Sequence, residues 1–251
     1  MTDVFTGLFG EAERVRWKLE ELPWHTVQRE HVTPELVQLV REIAASEATT
    51  FSATQRFLQD FADDVDFTNW IAVWFYEETK HPYVLVRWLG ALGEQQDADL
   101  MRRARVTSPF MKSRMATLTS NIISEMVASS RYMNLAERSP EPVLSMIAQR
   151  LASDEARHAA SFFTFAQKRL EASSQADVER RDALKVLYLW LQEGDGVRHP
   201  VNLFRSTQAS AAAISAAQSR VVRTIGLLVD APLRNAGDVM ARLKGDMHGT
   251  A

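Results

Sequence analysis

Two short segments, Glu78-Thr79-Lys80-His81 and Glu155-Ala156-Arg157-His158, each place a carboxylate and an imidazole three residues apart. On a helix that spacing puts both side chains on one face. A lone glutamate precedes each segment by about eight helical turns, Glu47 before Glu78 and Glu125 before Glu155. The chain therefore repeats one arrangement, a lone Glu followed by Glu-x-x-His. All four glutamates interrupt apolar stripes of helical period, so all four point toward a core. Burying isolated carboxylates costs several kcal/mol each, roughly, so four converging acids call for cations among them. The 251 residues hold no cysteine. That excludes disulfides, thiolate zinc sites and iron–sulfur clusters within them, and leaves nitrogen and oxygen to hold any metal.

The elements that must position these groups read as helices throughout. Glycine and proline number only 10 and 8, and apolar residues recur at three- and four-residue steps. A first helix is predicted from the N-cap Thr33, with Pro34 at its first position, to about Asp63. Its stripe is Leu36, Val40, Ile43, Glu47, Phe51, Thr54, Leu58 and Phe61. A second, from about Phe67 to Leu92, aligns Ile71, Trp74, Phe75, Glu78, His81, Leu85, Trp88 and Leu92. Within it Pro82 cannot donate to the Glu78 carbonyl, which predicts a kink beside the site. A third, from about Phe110 to Glu137, carries Met115, Leu118, Ile122, Glu125, Ser129 and Tyr132. The fourth, opened by Ser139 and Pro140 and ending near Ala172, carries Leu144, Ile147, Leu151, Glu155, His158, Phe162 and Phe165. Further helices are expected near 176–193, 205–230 and 234–244, with Gly194, Gly196 and Pro200 marking the main break. The whole chain, 1–251, reads as a single domain: a core bundle over about 33–172, an N-terminal segment 1–32 and extra helices in 173–251.

One Glu from each of two helices with Glu-x-x-His from two others is the ligand pattern of ferritin-like di-iron or di-manganese carboxylate bundles. Over about residues 17–165 the chain also resembles the soluble acyl-carrier-protein desaturases. Glu77-Glu78-Thr79-Lys80-His81 is similar to that family's E-E-x-R-H box, and Asp154-Glu155-Ala156-Arg157-His158 to its D-E-x-R-H box. The resemblance implies an all-α, ferritin-like four-helix bundle with additional C-terminal helices. It implies that Glu78 and Glu155 bridge two iron ions (manganese, or a mixed Mn/Fe pair, being equally compatible ligand chemistry). Glu47 with His81 would complete one metal and Glu125 with His158 the other. Asp154 matches an acid that holds the histidine of the opposite half. Trp17, in Trp17-Lys18-Leu19-Glu20-Glu21-Leu22-Pro23-Trp24, resembles a tryptophan segment near the family's metal site, with spacing one residue shorter. The implied activity is O2-dependent desaturation or hydroxylation of an acyl or similar apolar substrate, free or carrier-borne, with electrons from a donor such as ferredoxin, in a homodimer. Two departures stand out. Ala128, followed by Ser129, occupies the place of a family threonine, and Leu85 stands where ribonucleotide reductase small subunits carry a radical tyrosine, which argues against a radical-storing subunit.

Other features admit plainer readings. Arg102, Arg103, Arg105, Lys112 and Arg114 form either a docking patch for an acidic carrier or ferredoxin, or a solvated connection. Trp70, Trp74, Phe75, Phe162, Phe163 and Phe165 either line a substrate channel or simply fill the core. His25, His31, His199 and His248 have no acid at ligand spacing and read as surface or structural. A net charge of −3 gives no bulk attraction to nucleic acid. No run approaches the roughly 18 apolar residues of a membrane span, so a cytoplasmic protein is expected. Alternatives to the desaturase-like oxidase are another di-iron oxygenase, acting by N-oxygenation or C–C cleavage on a small amine or fatty acid, and non-catalytic iron storage or peroxide detoxification. The unlike halves of the chain disfavour storage, and four inward acids disfavour a metal-free scaffold.

Overall fold

The computed structural model describes residues 4–105, 113–193 and 211–248, and no strand occurs among them. The chain runs through α1 (Val4–Val15), three short 3₁₀ turns, α2 (Pro34–Glu47), α3 (Thr50–Asp60), α4 (Val65–Ala91), α5 (Ala98–Ala104), α6 (Arg114–Arg138) and α7 (Pro142–Ala172), then α8 (Ala176–Glu193), α9 (Ala211–Leu228) and α10 (Ala236–His248). The bundle is built from α4, α6, α7 and the α2–α3 pair. Helix α6 packs along α7, and α2 and α3 both pack on α4. Helices α8 and α9 pack against α6, and α10 packs on α8. No described helix is long and apolar enough to cross a membrane.

Local chemistry sets most boundaries. Thr33 caps α2, accepting from Leu36 N, with Pro34 in the first turn. Asp64 caps α4 through Phe67 N, and Ser113 caps α6 through Ala116 N. The fourth bundle helix begins two residues later than Ser139 and Pro140 suggest. Its cap is the fully buried Glu141, which accepts from Val143 N and Leu144 N and also takes the Trp88 indole N–H at 2.7 Å and Gln28 N at 3.2 Å. A helix start, a bundle neighbour and the N-terminal segment thus meet at one carboxylate. The third bundle helix begins at Arg114 rather than Phe110; 106–112, like the break at Gly194, Gly196 and Pro200, lies outside the described residues.

The first bundle helix is not continuous to Asp63. It ends at Glu47, where Ala48 N bonds back to Ala45 O and Thr49 N to Ser46 O, an i to i+3 pattern that tightens the last turn. Two β-branched residues, Thr49 and Thr50, follow, and such residues hold a helix weakly. The turn resets the register. Helix α3 buries Thr50, Thr54 and Phe57, while Phe51 and Leu58, expected to face inward, are 36% and 44% exposed. Pro82 ends nothing: α4 runs through it.

The core divides into two apolar halves. One gathers Phe57, Phe67, Trp70, Trp74, Met115, Phe162 and Phe165 with the C-terminal helices. The other gathers Val40, Leu85, Trp88, Leu144, Ile147 and Leu151 with Trp17 and Leu22 of the N-terminal segment. Along each bundle helix the acids and histidines fall between the residues of these two halves, forming a polar layer across the middle.

Candidate metal centre

That layer brings together the six residues singled out by spacing. Helix α2 ends on Glu47, α4 supplies Glu78 and His81 one turn apart, α6 supplies Glu125, and α7 supplies Glu155 and His158. Ligand-type atoms of Glu78, Glu125, Glu155 and His158 lie within 4.8 Å of one another, as do those of Glu47, His81 and Glu155. Glu155 belongs to both groups. His81 Nδ1 faces Glu155 Oε1 at 3.4 Å, Glu47 Oε2 at 3.7 Å and Glu78 Oε1 at 3.8 Å. His158 Nδ1 faces Glu78 Oε1 at 2.9 Å, Glu155 Oε2 at 3.4 Å and Glu125 Oε2 at 4.0 Å. The imidazole planes lie stacked, 23° apart, with centroids 5.9 Å apart.

The opposite ring nitrogens are held from outside. His81 Nε2 lies 3.4 Å from Asp154 Oδ2, which also accepts the Trp17 indole N–H at 2.8 Å. Thus Trp17, buried in the core, and Asp154 meet at the site. His158 Nε2 lies 3.0 Å from Glu77 Oε2. Arg157 ties the two outer acids together, donating to Glu77 at 2.7 Å and Asp154 at 3.0 Å. Fixing the outer nitrogen leaves each Nδ1 free to serve as a ligand. The Arg157 guanidinium and the two imidazoles more than offset burial for the outer acids, holding Glu77 at about 2 and Asp154 below its ordinary range.

The inner groups perturb one another. Burial and the Glu155 carboxylate push Glu78 up to about 7. Burial, with Glu155 and Glu78 close by, raises Glu125 well above the usual carboxylate range. Burial opposes charge on His81 and His158, yet the surrounding carboxylates outweigh it and raise both well above ordinary histidine. Crowded acids in a desolvated site favour the neutral form of a carboxylate and the charged form of a histidine. His81 Nδ1 and Glu78 Oε1 are buried without a hydrogen-bond partner; His158 Nδ1 approaches Glu78 Oε1 closely but not in hydrogen-bond alignment. Orphaned nitrogen and oxygen donors aimed at one space fit cations, and a carboxylate-rich N/O donor set suits iron or manganese.

Four participants escaped the sequence reading. Glu77 and Arg157 lie inside the two boxes, and the repeat itself pointed to Glu77, since an acid precedes each Glu-x-x-His. Thr50, delivered by the turn after Glu47, donates to Glu78 Oε2 at 3.1 Å. Tyr132, buried on α6, donates its hydroxyl to Glu47 Oε1; seven residues after Glu125, it is a stripe position with no local signature.

Of the aromatic residues weighed as a channel, Trp70, Trp74, Phe162 and Phe165 pack ring against ring in the core, and Phe75 and Phe163 are partly buried against it. A cavity of about 720 Å³ lies elsewhere, between α2 and the C-terminal half of α6. Its walls include Leu36, Leu39, Ile43, Ala128 and Leu135, its polar residues include Gln38, Glu42, Arg131, Asn134 and Arg138, and it reaches Glu47 and Tyr132. Of the basic cluster, Arg102 and Arg103 are exposed on α5 and pair with Asp99 and Asp97, Arg105 lies over the Phe51 ring at 4.0 Å, and Arg114 pairs with Asp63. Lys112 lies outside the described residues, as does His199. His25 and His31 are exposed, and His248 ends α10.

Comparison with known proteins agrees with this architecture. The rubrerythrin family model matches residues 116–193, less than half of the chain. By sequence, no curated protein matches at a significant level. Among solved structures, the chain is similar to an R2-like ligand-binding oxidase from Sulfolobus acidocaldarius, with 14% identity, TM-score 0.65 and 90% of each chain covered. It is also similar to two variants of an R2-like ligand-binding oxidase with aerobically reconstituted Mn/Fe cofactor. One shows 17% identity and TM-score 0.56, covering 90% of this chain and 93% of that one; the other shows 16% and 0.58, covering 96% and 92%. At such identities the likeness speaks to the fold. The chain has a ferritin-like helical fold whose core holds a buried carboxylate–histidine cluster suited to a pair of metal ions.

Proposed function

We propose that this chain is a non-haem dimetal oxidase or oxygenase that couples O2 reduction to oxidation of an apolar organic substrate, an acyl chain in the desaturase-like form of the reading. The observation behind it is the cavity of about 720 Å³ with apolar walls that runs to Glu47 of the carboxylate–histidine cluster. A storage centre has no need of such a cavity. Metal would be held by Glu47, Glu78, His81, Glu125, Glu155 and His158, with Glu155, and Glu78 beside it, shared between two ions. When bound, two redox-active ions supply O2 reduction and the oxidising power for a C–H bond. The protein supplies the rest. Asp154 and Glu77 fix the outer nitrogens of the histidines, the aromatic half of the core keeps water from one side, and the cavity walls align an apolar substrate with its polar end toward the mouth. The structurally similar oxidases reconstituted with Mn/Fe support a mixed pair as readily as two irons. With no cysteine in the 251 residues, electrons come from a separate donor such as a ferredoxin.

The direct test is anaerobic Fe(II) loading followed by O2 with candidate acyl thioesters and mass spectrometry of the products. Loss of two hydrogens or gain of one oxygen is the expected result. O2 uptake with no substrate-derived product, at more than two irons per chain, would replace the oxidase with storage. Docking of an acidic carrier at Arg102, Arg103 and Arg105 belongs to the same proposal, because α5 packs on α2, one wall of the cavity. Reversing the three charges should raise KM for a carrier-borne substrate, more steeply at low salt. A KM and salt dependence equal to those of the wild type would leave these arginines as solvated surface.

A further inference from the structure

The two ends of the cluster have different surroundings. Behind Glu125 stands Trp74, whose indole N–H reaches Oε1 at 3.3 Å and whose ring packs on Phe57 and Phe162 at 5.5 and 5.8 Å. None of these residues borders the cavity. Behind Glu47 stands Tyr132, and both border the cavity, as does Ala128. The Glu47 and Glu125 side chains are exposed to nearly the same small extent, 10% and 9%, so what separates the two ends is the cavity, which Glu47 borders and Glu125 does not.

Glu47 divides its two oxygens. Oε2 faces His81 Nδ1 at 3.7 Å, while Oε1 accepts the hydroxyl of Tyr132. A carboxylate so held offers one oxygen to a metal. Oε1 keeps a second lone pair, but the phenol hydrogen bond turns it toward Tyr132 and disfavours its joining Oε2 on the same metal.

On the dimetal reading above, we propose that external ligands reach the metal pair only at the Glu47–His81 position, and that Tyr132 is the positioning residue that keeps Glu47 one-handed and that position open. The Glu125–His158 position, with Trp74 hydrogen-bonded to Glu125, does not border the cavity. The two metal positions are therefore unequal in access although nearly symmetric in ligands. Removing the phenol oxygen should leave metal uptake intact and close the access.

The test uses the full chain loaded with Co(II), with azide as the external ligand, read by cobalt visible absorption and metal analysis. Wild type should hold two cobalt ions and bind azide. Tyr132→Phe should still hold two but bind azide about 10-fold more weakly, the order seen when a group behind a ligand is lost. Trp70→Phe, in the aromatic half of the core and away from both cavity and cluster, should bind azide as wild type does. Ile43→Trp, one turn before Glu47 on the cavity wall, narrows the approach without touching the cluster and should slow azide binding several-fold, about as a partial block would; it serves if Tyr132→Phe fails to fold. Two cobalt ions with unchanged azide binding in Tyr132→Phe and Ile43→Trp overturn this inference alone, as does an equal loss in Trp70→Phe. A wild-type chain that takes up no cobalt overturns the dimetal reading and this inference with it.

Discussion

Five of the six ligand-type residues of the cluster are gripped from behind. Glu47 has Tyr132, Glu78 has Thr50, Glu125 has Trp74, His81 has Asp154 and His158 has Glu77. Asp154 is the most heavily used, receiving Trp17, His81 and Arg157. Asp154→Ala should therefore free the His81 ring and weaken the metal at the Glu47–His81 position about 10- to 100-fold, leaving the second metal bound. Stepwise metal titration distinguishes this from the simultaneous loss that general unfolding would cause. The six inward residues were legible in the sequence because metal chemistry demands rare types at fixed helical spacing. Tyr132, Thr50 and Arg157 were not, because hydroxyls and guanidinium groups occur everywhere on helices and only the fold shows which of them reach a carboxylate.

The bundle helices were legible in type and order because long amphipathic stripes with few glycines leave little choice, whereas α1, α5 and the division of α2 from α3 were not. Their ends were legible where a cap is conventional, as at Thr33, and not where it is unusual, as at Glu141. The break after Glu47 escaped because the stripe continues through it in sequence. Phe51 and Leu58 keep the period but lie on the outside once the turn resets the register. That reset is what brings Thr50 to Glu78. The role of Glu141 can be measured. Glu141→Ala removes the α7 cap and leaves the buried Trp88 indole N–H without its partner. A loss of about 2–4 kcal/mol in denaturant unfolding is expected, with Glu141→Gln recovering part of it. A change under about 0.5 kcal/mol, the level of ordinary surface substitutions, would mean the cap and the indole find other partners.

For the molecule as a whole, the bundle places a polar layer between two apolar halves, and the layer is costly without cations. Metal binding to the folded chain alone stabilises it by about 4 kcal/mol at a thousandfold excess over Kd, so Tm should rise clearly on anaerobic Fe(II) loading. Glu125 sharpens this. Its folded pKa is raised, so its contribution is favourable below the ordinary carboxylate range and lost as pH rises through the folded value; at neutral pH it destabilises the metal-free chain. Glu125→Gln should accordingly raise the metal-free Tm and shrink the rise on loading, and a metal-free Tm no higher than wild type would count against convergence of the acids. The central claim is that two metal ions share Glu155. Metal analysis of purified Glu155→Ala beside wild type, with circular dichroism to confirm the helical fold, tests it most directly: two ions per wild-type chain and loss of both in the variant are predicted, and a folded variant with wild-type metal content would contradict it.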